Sequence, residues 1–433
     1  MSHNTHTPHL SLISAIIINI NIMLGSGIFV NTVLLASQTS GFGSLVYALV
    51  GILFLPLIFS FSQLLSDFPG GSFYDFGNTL HPAVGFLSSW IYFIGKLASP
   101  AFAIHVFVSL MQTIMPTLAS YNPLMLDACI VALFVGLNLI NLKTGRSINY
   151  FFIALKLIPI LFVCFSAFFL FDVHHFYLDA LDWNKIYTAI PFVVFAFTGF
   201  EASCSLSKQI INPEKNGPRA IFISFFITLT ILILYQACLF GSLGTALGYL
   251  ADWKAAFPEL IQKFLPTHQG IHWFLKAITL SGIAASSLGS SYGVIYSNFW
   301  NLYILAEHNH VFGSSYLLKK NRYGTPFLCV LSSGLIVFCY QFLTKGNQIP
   351  LQQITAAGNL LAYGIIIFCF LRLSLLNKKN RLLACISMLS IFFLAFSFKD
   401  NAIAYGSNAL MVFMLVILAG MGMYFLTSRY KNK

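Results

Sequence analysis

Charge is what this chain has least of. Asp, Glu, Lys and Arg make up 8% of its 433 residues, against about 25% in a soluble domain. That is too little to cover a water-facing surface, which excludes a string of soluble domains. No stretch reads GxxxxGK[ST], so an ATP-binding loop of that kind is absent and primary pumping by this chain alone is not expected. The cysteines (129, 164, 204, 238, 329, 339, 369 and 385) form no CxxC pair and sit almost entirely inside apolar segments. They read as small buried packing residues rather than metal or disulfide chemistry. No cofactor is implied, and no long polar insertion offers a catalytic or sensory domain. The polar, histidine-bearing stretch Met1–Leu10 lacks the basic start and cleavage site of a signal peptide, so the first apolar segment is expected to be retained.

What is present instead is hydrocarbon. Residues of the AVILMFWYC set make up 58% and mean hydropathy is +0.82. Apolar stretches of about 20 residues, each able to span the bilayer core, recur from end to end. Backbone groups in lipid must be satisfied within the segment, so these are helices. The expected fold is an all-α integral membrane protein, one membrane domain over residues 1–433, with about twelve spans. They run near 11–36, 42–65, 84–115, 124–142, 148–171, 186–209, 219–247, 271–306, 326–343, 351–375, 382–398 and 402–426. The third and eighth are long enough to be tilted or to extend beyond the bilayer.

A formal charge of +11 suggests nucleic acid until its distribution is examined. Of the 23 Lys and Arg, fifteen fall in connections on one side of a twelve-span topology and six on the other; Lys96 and Lys156 lie within spans. That asymmetry predicts both termini in the cytoplasm and no nucleic-acid partner. The acidic connections Asp172–Asp182 and Asp252–Glu259 then face outward.

Two spans are interrupted. The first meets Gly25-Ser26-Gly27 after Ile16–Ile22, and the sixth carries Phe195-Ala196-Phe197-Thr198-Gly199-Phe200-Glu201. Glycines of this kind serve close helix packing, or they unwind the helix at mid-membrane depth where the backbone lines a cavity. Freed N–H groups at the start of a half-helix suit a carboxylate, and freed carbonyls suit an ammonium group or cation. The breaks fall in spans 1 and 6, one at the start of each five-helix half, as an inverted-repeat transporter requires. Glu201 adds an ionisable group within a span, which is expensive there and usually functional or paired.

At this point the sequence resembles the amino acid–polyamine–organocation permease superfamily over nearly its whole length. The motifs that carry the likeness are GSGIF (Gly25–Phe29), FPGGSFYDFGNTLHPAVGFLSSW (Phe68–Trp90), FAFTGFEASCSLSKQIINPEKNGPRAI (Phe195–Ile221) and NRYGTP (Asn321–Pro326), in the family's order. The resemblance implies a LeuT-like fold of five plus five helices in inverted repeat with broken helices 1 and 6. Repeat one would cover about 11–171 and repeat two about 186–375, with two extra helices over about 382–426. It implies a substrate carboxylate held by the N–H groups around Ser26 and Gly27, with Gly25 allowing close approach, and an amino group held by carbonyls near Phe195 and Ala196. Gly199 belongs to the same break. Phe195 stands where relatives keep an aromatic gate, and Glu201 matches the helix-6 acid, read as a strut or proton-responsive group. Lys156 occupies the helix-5 position where several relatives carry a lysine, which in proton-coupled members replaces a sodium ion; exchangers carry it too.

The expected function is therefore secondary active transport of an amino acid by alternating access, proton-coupled uptake first, with exchange or a non-transporting sensor of the same fold as alternatives. A neutral or hydrophobic amino acid is favoured, because no second acid appears in the pocket. Lys96, unusual on helix 3, pairs with Glu201, meets an acidic substrate, or reaches toward an interface. The expected setting is a bacterial inner membrane. Helix 8 departs from the family: Ser291-Tyr292-Gly293-Val294 and Glu307-His308-Asn309 replace its usual motifs. His105 reads as a satisfied buried histidine, and His174, His175, His308 and His310 as solvated loop. Ser286, Ser287, Ser290 and Ser291 serve helix packing or cation coordination. An integral-membrane enzyme would need a carboxylate or histidine cluster near an interface, and none stands out.

Overall fold

The computed structural model describes residues 10–140, 142–176, 183–267 and 269–431. The N-terminal stretch 1–9 and residues 177–182 of the Asp172–Asp182 connection lie outside the described residues. Every one of the twelve predicted spans has a helical counterpart there. Span 1 is α1 (Leu12–Met23) and α2 (Gly27–Thr39), and span 2 is α3 (Gly43–Asp67). A short α4 (Phe73–Asn78) leads into span 3, made of α5 (Pro82–Lys96) and α6 (Ala98–Ile114). Spans 4 and 5 are α7 (Pro123–Asn138) and α8 (Leu142–Leu170); span 6 is α9 (Trp183–Phe197) and α10 (Ala202–Ser205). Span 7 is α11 (Pro213–Leu243), followed by α12 (Ala256–Phe264) and span 8, α13 (Gln269–Glu307). After α14 (Ser314–Leu317) come α15 (Phe327–Thr344), α16 (Gln348–Asn377), α17 (Arg381–Tyr405) and α18 (Asn408–Lys431). Among the described residues ten segments are long and apolar enough to cross a membrane, counting Gly27–Asp67 as one, and Leu12–Met23 and Pro123–Asn138 are shorter apolar helices. This is an all-α integral membrane protein.

Two spans differ from expectation: span 3 in being interrupted, and span 6 in the shortness of its second half. Span 3 is interrupted at Leu97, between α5 and α6. Pro100 has no N–H to donate to the Lys96 carbonyl four residues back, so the ladder is weakened there. The second half of span 6 is a single turn, Ala202–Ser205, followed by a 3-10 turn at Ser207–Gln209. Asn212 in the left-handed region and Pro213 at the first helical position then start α11.

The family-like connections owe their shape to local chemistry. Ser72 and Asp75 form a reciprocal capping box at the start of α4. Gly77 and Gly85 let α4 and α5 touch, because a Cβ on Gly77 would stand 2.7 Å from the Gly85 Cα. In the Asn321–Pro326 turn, the Asn321 Oδ1 accepts from the Tyr323 and Thr325 N–H groups at 2.9 and 3.1 Å, with Gly324 at φ +79°.

Burial sorts the spans. The apolar window of Lys185–Ser205 is 89% buried and those of Pro82–Ile114 and Gly270–Glu307 are each 83%, against 22% for Asn408–Ser428. Spans 3, 6 and 8 therefore form the centre with α1, which packs against α8, α11 and α13, while α18 lies at the periphery. Connections placed on one side by the charge count do meet. Leu10 bridges to Ile210, the Ser207 hydroxyl donates to the Gly71 carbonyl at 2.6 Å, and Lys208 pairs with Glu307 at 3.2 Å. At the other end Lys254 donates to the Ser109 hydroxyl at 2.8 Å and the Asp172 N–H to the Gly241 carbonyl at 3.0 Å.

Candidate functional site

Spans 1 and 6 come apart at adjoining places in the buried centre. In span 1 the helix stops at Met23, and Leu24 to Ser26 separate it from α2. In span 6 Thr198 to Glu201 separate α9 from α10, and Gly199 takes φ +144°, a conformation open to glycine and rarely to others. The two breaks touch: a Cβ on Gly199 would lie 2.7 Å from the Met23 Cγ and 2.9 Å from its N. Between them is an enclosed gap lined by Ile22, Met23, Gly25, Ser26, Gly27, Ser99, Phe195, Ala196, Thr198 and Ser290. Its room is about 10 Å³, the scale of one water. Of the six predicted break residues, Gly25, Ser26, Gly27, Phe195 and Ala196 line it and Gly199 does not.

The glycines are needed for closeness. A Cβ on Gly25 would meet the Ser290 Oγ at 2.6 Å, and one on Gly27 would meet two atoms of the Phe195 ring at 3.1 Å. Phe195 thus covers the start of α2, held edge-on by Phe102 with ring centroids 5.8 Å apart. Ser26 is buried and its hydroxyl has no hydrogen-bond partner among the described residues. A buried, unpartnered hydroxyl at a helix N-terminus is suited to an anionic ligand group. The Phe195 carbonyl accepts from the Thr198 hydroxyl at 2.9 Å and from the Thr198 N–H at 3.3 Å.

Lys156 lies beside the first break, fully buried, and its ammonium donates to the Asn21 carbonyl at 2.8 Å and the Leu24 carbonyl at 2.7 Å. It therefore satisfies carbonyls that α1 leaves open at its C-terminal end, where the helix dipole is negative. The Ser286 hydroxyl donates to the same Leu24 carbonyl at 2.8 Å. Of the helix-8 serines, Ser286 and Ser290 face the break, and the hydroxyls of Ser287, Ser290 and Ser291 donate back into their own helix at Ile283, Ser287 and Ser287.

Behind the second break, Glu201 is completely buried and fully engaged. Lys96 donates to its Oε1 at 2.8 Å, Tyr92 to the same oxygen at 3.1 Å, and the Gly199 N–H to its Oε2 at 2.6 Å. Glu201 thus ties the loosened backbone of the break to α5. Of the roles weighed for Lys96, the structure displays the pairing with Glu201; Lys96 does not line the gap.

Elsewhere His105 is satisfied by Asp127 at 2.7 Å, though its side chain is partly exposed. The solvated-loop expectation fails at His310, which is buried and bonded to the Tyr74 hydroxyl at 2.9 Å, with His308 stacked on Tyr74 at 3.9 Å. The helix-8 end folds back onto α4, which sequence spacing did not reveal. Cys129, Cys339 and Cys385 are exposed rather than buried.

Sequence reasoning missed several supports of the site. Asn21 donates to Asn149 at 2.6 Å and to the Gly289 carbonyl at 2.8 Å, and Asn19 donates to Ser203 at 2.9 Å. Ser99 and Tyr92 were also missed. The asparagines carried a readable signal, being polar side chains in an apolar span; Ser99 carried none.

A family model described as amino acid permease matches residues 10–424. The chain belongs to the amino acid permease family. It is 27% identical to the amino-acid permease RocE of Bacillus subtilis, over 75% of this chain and 71% of that protein. It is 22% identical to the branched-chain amino acid permease BcaP of Bacillus subtilis over 96% and 92%. It is 25% identical to the low-affinity putrescine importer PlaP of Escherichia coli over 52% and 54%. This permease is a membrane transporter and not an enzyme.

Proposed function

We propose that this permease carries a small zwitterionic amino acid by alternating access, with the broken spans 1 and 6 as its binding site. The observation that carries the reading is the unpartnered Ser26 hydroxyl at the start of α2, facing Phe195 and Ala196 across a gap without ionisable side chains. The carboxylate would sit on the N–H groups of Ser26 and Gly27, and the amino group on carbonyls of the second break near Phe195 and Ala196. Phe195 must swing off Gly27 to admit a substrate, which makes it the gate.

The five-plus-five inverted repeat is supported by three pairings. Spans 1 and 6 are both broken and touch. Span 2 packs on span 7 (α3 on α11), and span 3 on span 8 (α5 and α6 on α13). Elements near a two-fold axis meet their own mates. Proton coupling is supported by Lys156, a buried amine on carbonyls that a cation would otherwise occupy; losing its proton weakens its hold on the α1 terminus and loosens the break. The charge asymmetry supports both termini in the cytoplasm, and bacterial relatives support a bacterial inner membrane.

The test is counterflow and net uptake of a radiolabelled amino-acid panel in proteoliposomes. Net accumulation into empty vesicles supports a symporter. Movement only against an internal counter-substrate makes the protein an exchanger. Binding without either kind of movement contradicts transport and identifies a sensor.

A further inference from the structure

The relatives include a putrescine importer, so this fold serves cationic as well as zwitterionic cargo. A cation in a buried site needs a carboxylate that nothing else neutralises, because an unpaired charge in a low-dielectric interior is expensive. Here the gap has no Asp or Glu in its lining. Glu201 is the acid at the second break, since the N–H of Gly199, next to the lining residue Thr198, rests on its Oε2 at 2.6 Å. Its negative charge is cancelled by Lys96 at 2.8 Å, with both side chains at 2% exposure or less.

Helix geometry brings this pair within reach of the cargo. Ser99 follows Lys96 by three residues, the intervening Leu97 keeps right-handed helical backbone angles (φ −71°, ψ −11°), and Ser99 lines the gap. Residues three apart on a helix share a face, so the ammonium stands about one turn along span 3 from the binding space. The Tyr92 hydroxyl, on the preceding turn of α5, donates to the same Glu201 oxygen at 3.1 Å. The other buried ammonium at the breaks, Lys156, adds positive charge at the first break, next to Leu24. A cation entering would meet two fixed positive charges and one negative charge that is already paired.

We propose that Lys96 is a charge-specificity residue: by neutralising Glu201 it makes the site select neutral zwitterionic amino acids and reject cationic amino acids and diamines. This rests on the carrier reading above and extends it to the side-chain class of the substrate. Lys96 acts through Glu201 and is a positioning residue rather than a substrate contact. Removing the ammonium alone leaves a buried carboxylate in want of a cation, which an incoming amine would supply. Removing both charges leaves a neutral site again.

The experiment is uptake of labelled neutral amino acids by the full-length protein in proteoliposomes, competed by arginine, putrescine or glutamate. Three variants accompany the wild type: Lys96→Met, Glu201→Gln, and Lys96→Met with Glu201→Gln. Wild type should be inhibited by neutral amino acids and not by arginine or putrescine. Lys96→Met should gain competition by a cation by about 10-fold or more. Glu201→Gln, which leaves the ammonium unpaired, should gain it for glutamate instead. The double variant should resemble wild type in its preference. Should Lys96→Met fail to fold, Glu201→Gln and the double variant still test the idea, because glutamate should compete with the first and not with the second. Competition of wild type by putrescine as strong as by neutral amino acids would overturn the proposal. So would folded variants that keep the wild-type profile, while uptake itself left the carrier reading intact. No uptake of any substrate by folded wild type would sink the carrier reading and this proposal with it.

Discussion

Lys156 and Phe195 define what single side chains do in this permease. Lys156 satisfies two carbonyls at the end of α1, so Lys156→Met removes both bonds and leaves the Leu24 carbonyl to the Ser286 hydroxyl alone. Transport should fall to background while expression and retention on size-exclusion persist; undiminished uptake would remove Lys156 from the mechanism. Gly27→Leu drives a side chain into the Phe195 ring, whose atoms already stand 3.1 Å from a Cβ there, and should abolish uptake. Away from the site, His105→Ala would leave the buried Asp127 without its 2.7 Å partner. A loss of about 1–3 kcal/mol is expected for a group stranded in this way, readable as a lower thermal midpoint in detergent. Much of this scale was legible in the sequence: Gly25, Ser26, Gly27, Phe195 and Ala196 line one gap as the breaks suggested. Ser99 was not legible, because a serine in an apolar span looks the same whether it packs against a neighbour or lines a site. The partner of His105 was also hidden, lying 22 residues away on another helix.

At the scale of elements, interruption is the feature that matters. Gly199 bends span 6 by adopting φ +144° and lets Met23 approach. Gly199→Ala would impose a strained backbone and a Cβ 2.9 Å from the Met23 N. The expected cost is about 1–3 kcal/mol, with uptake reduced more than stability, because the two breaks would be pushed apart. A variant with the wild-type thermal midpoint and normal uptake would show that the contact is slack. Helix identity was readable because most spans are apolar over bilayer length. The interruption of span 3 at Leu97 and the single turn of α10 were not, because each depends on a local loss of hydrogen bonding that hydropathy does not register. The return of His308 and His310 onto α4 is a tertiary contact, and spacing along the chain cannot reveal it.

At the scale of the whole molecule, the proposed orientation rests on the charge asymmetry of the connections. Asn347 and Lys379 flank opposite ends of α16 (Gln348–Asn377), and both are exposed. In a cysteine-free background, Asn347→Cys should react with a membrane-impermeant maleimide added to intact cells, and Lys379→Cys only after permeabilisation. The reverse pattern would invert the topology. The central claim, coupled transport through the paired breaks, is tested most directly by uptake into proteoliposomes with and without an inward proton gradient, comparing wild type with Lys156→Met. The account predicts gradient-driven accumulation of a neutral amino acid by wild type, and none by the variant. Accumulation that ignores the gradient, or that survives intact in Lys156→Met, would contradict it.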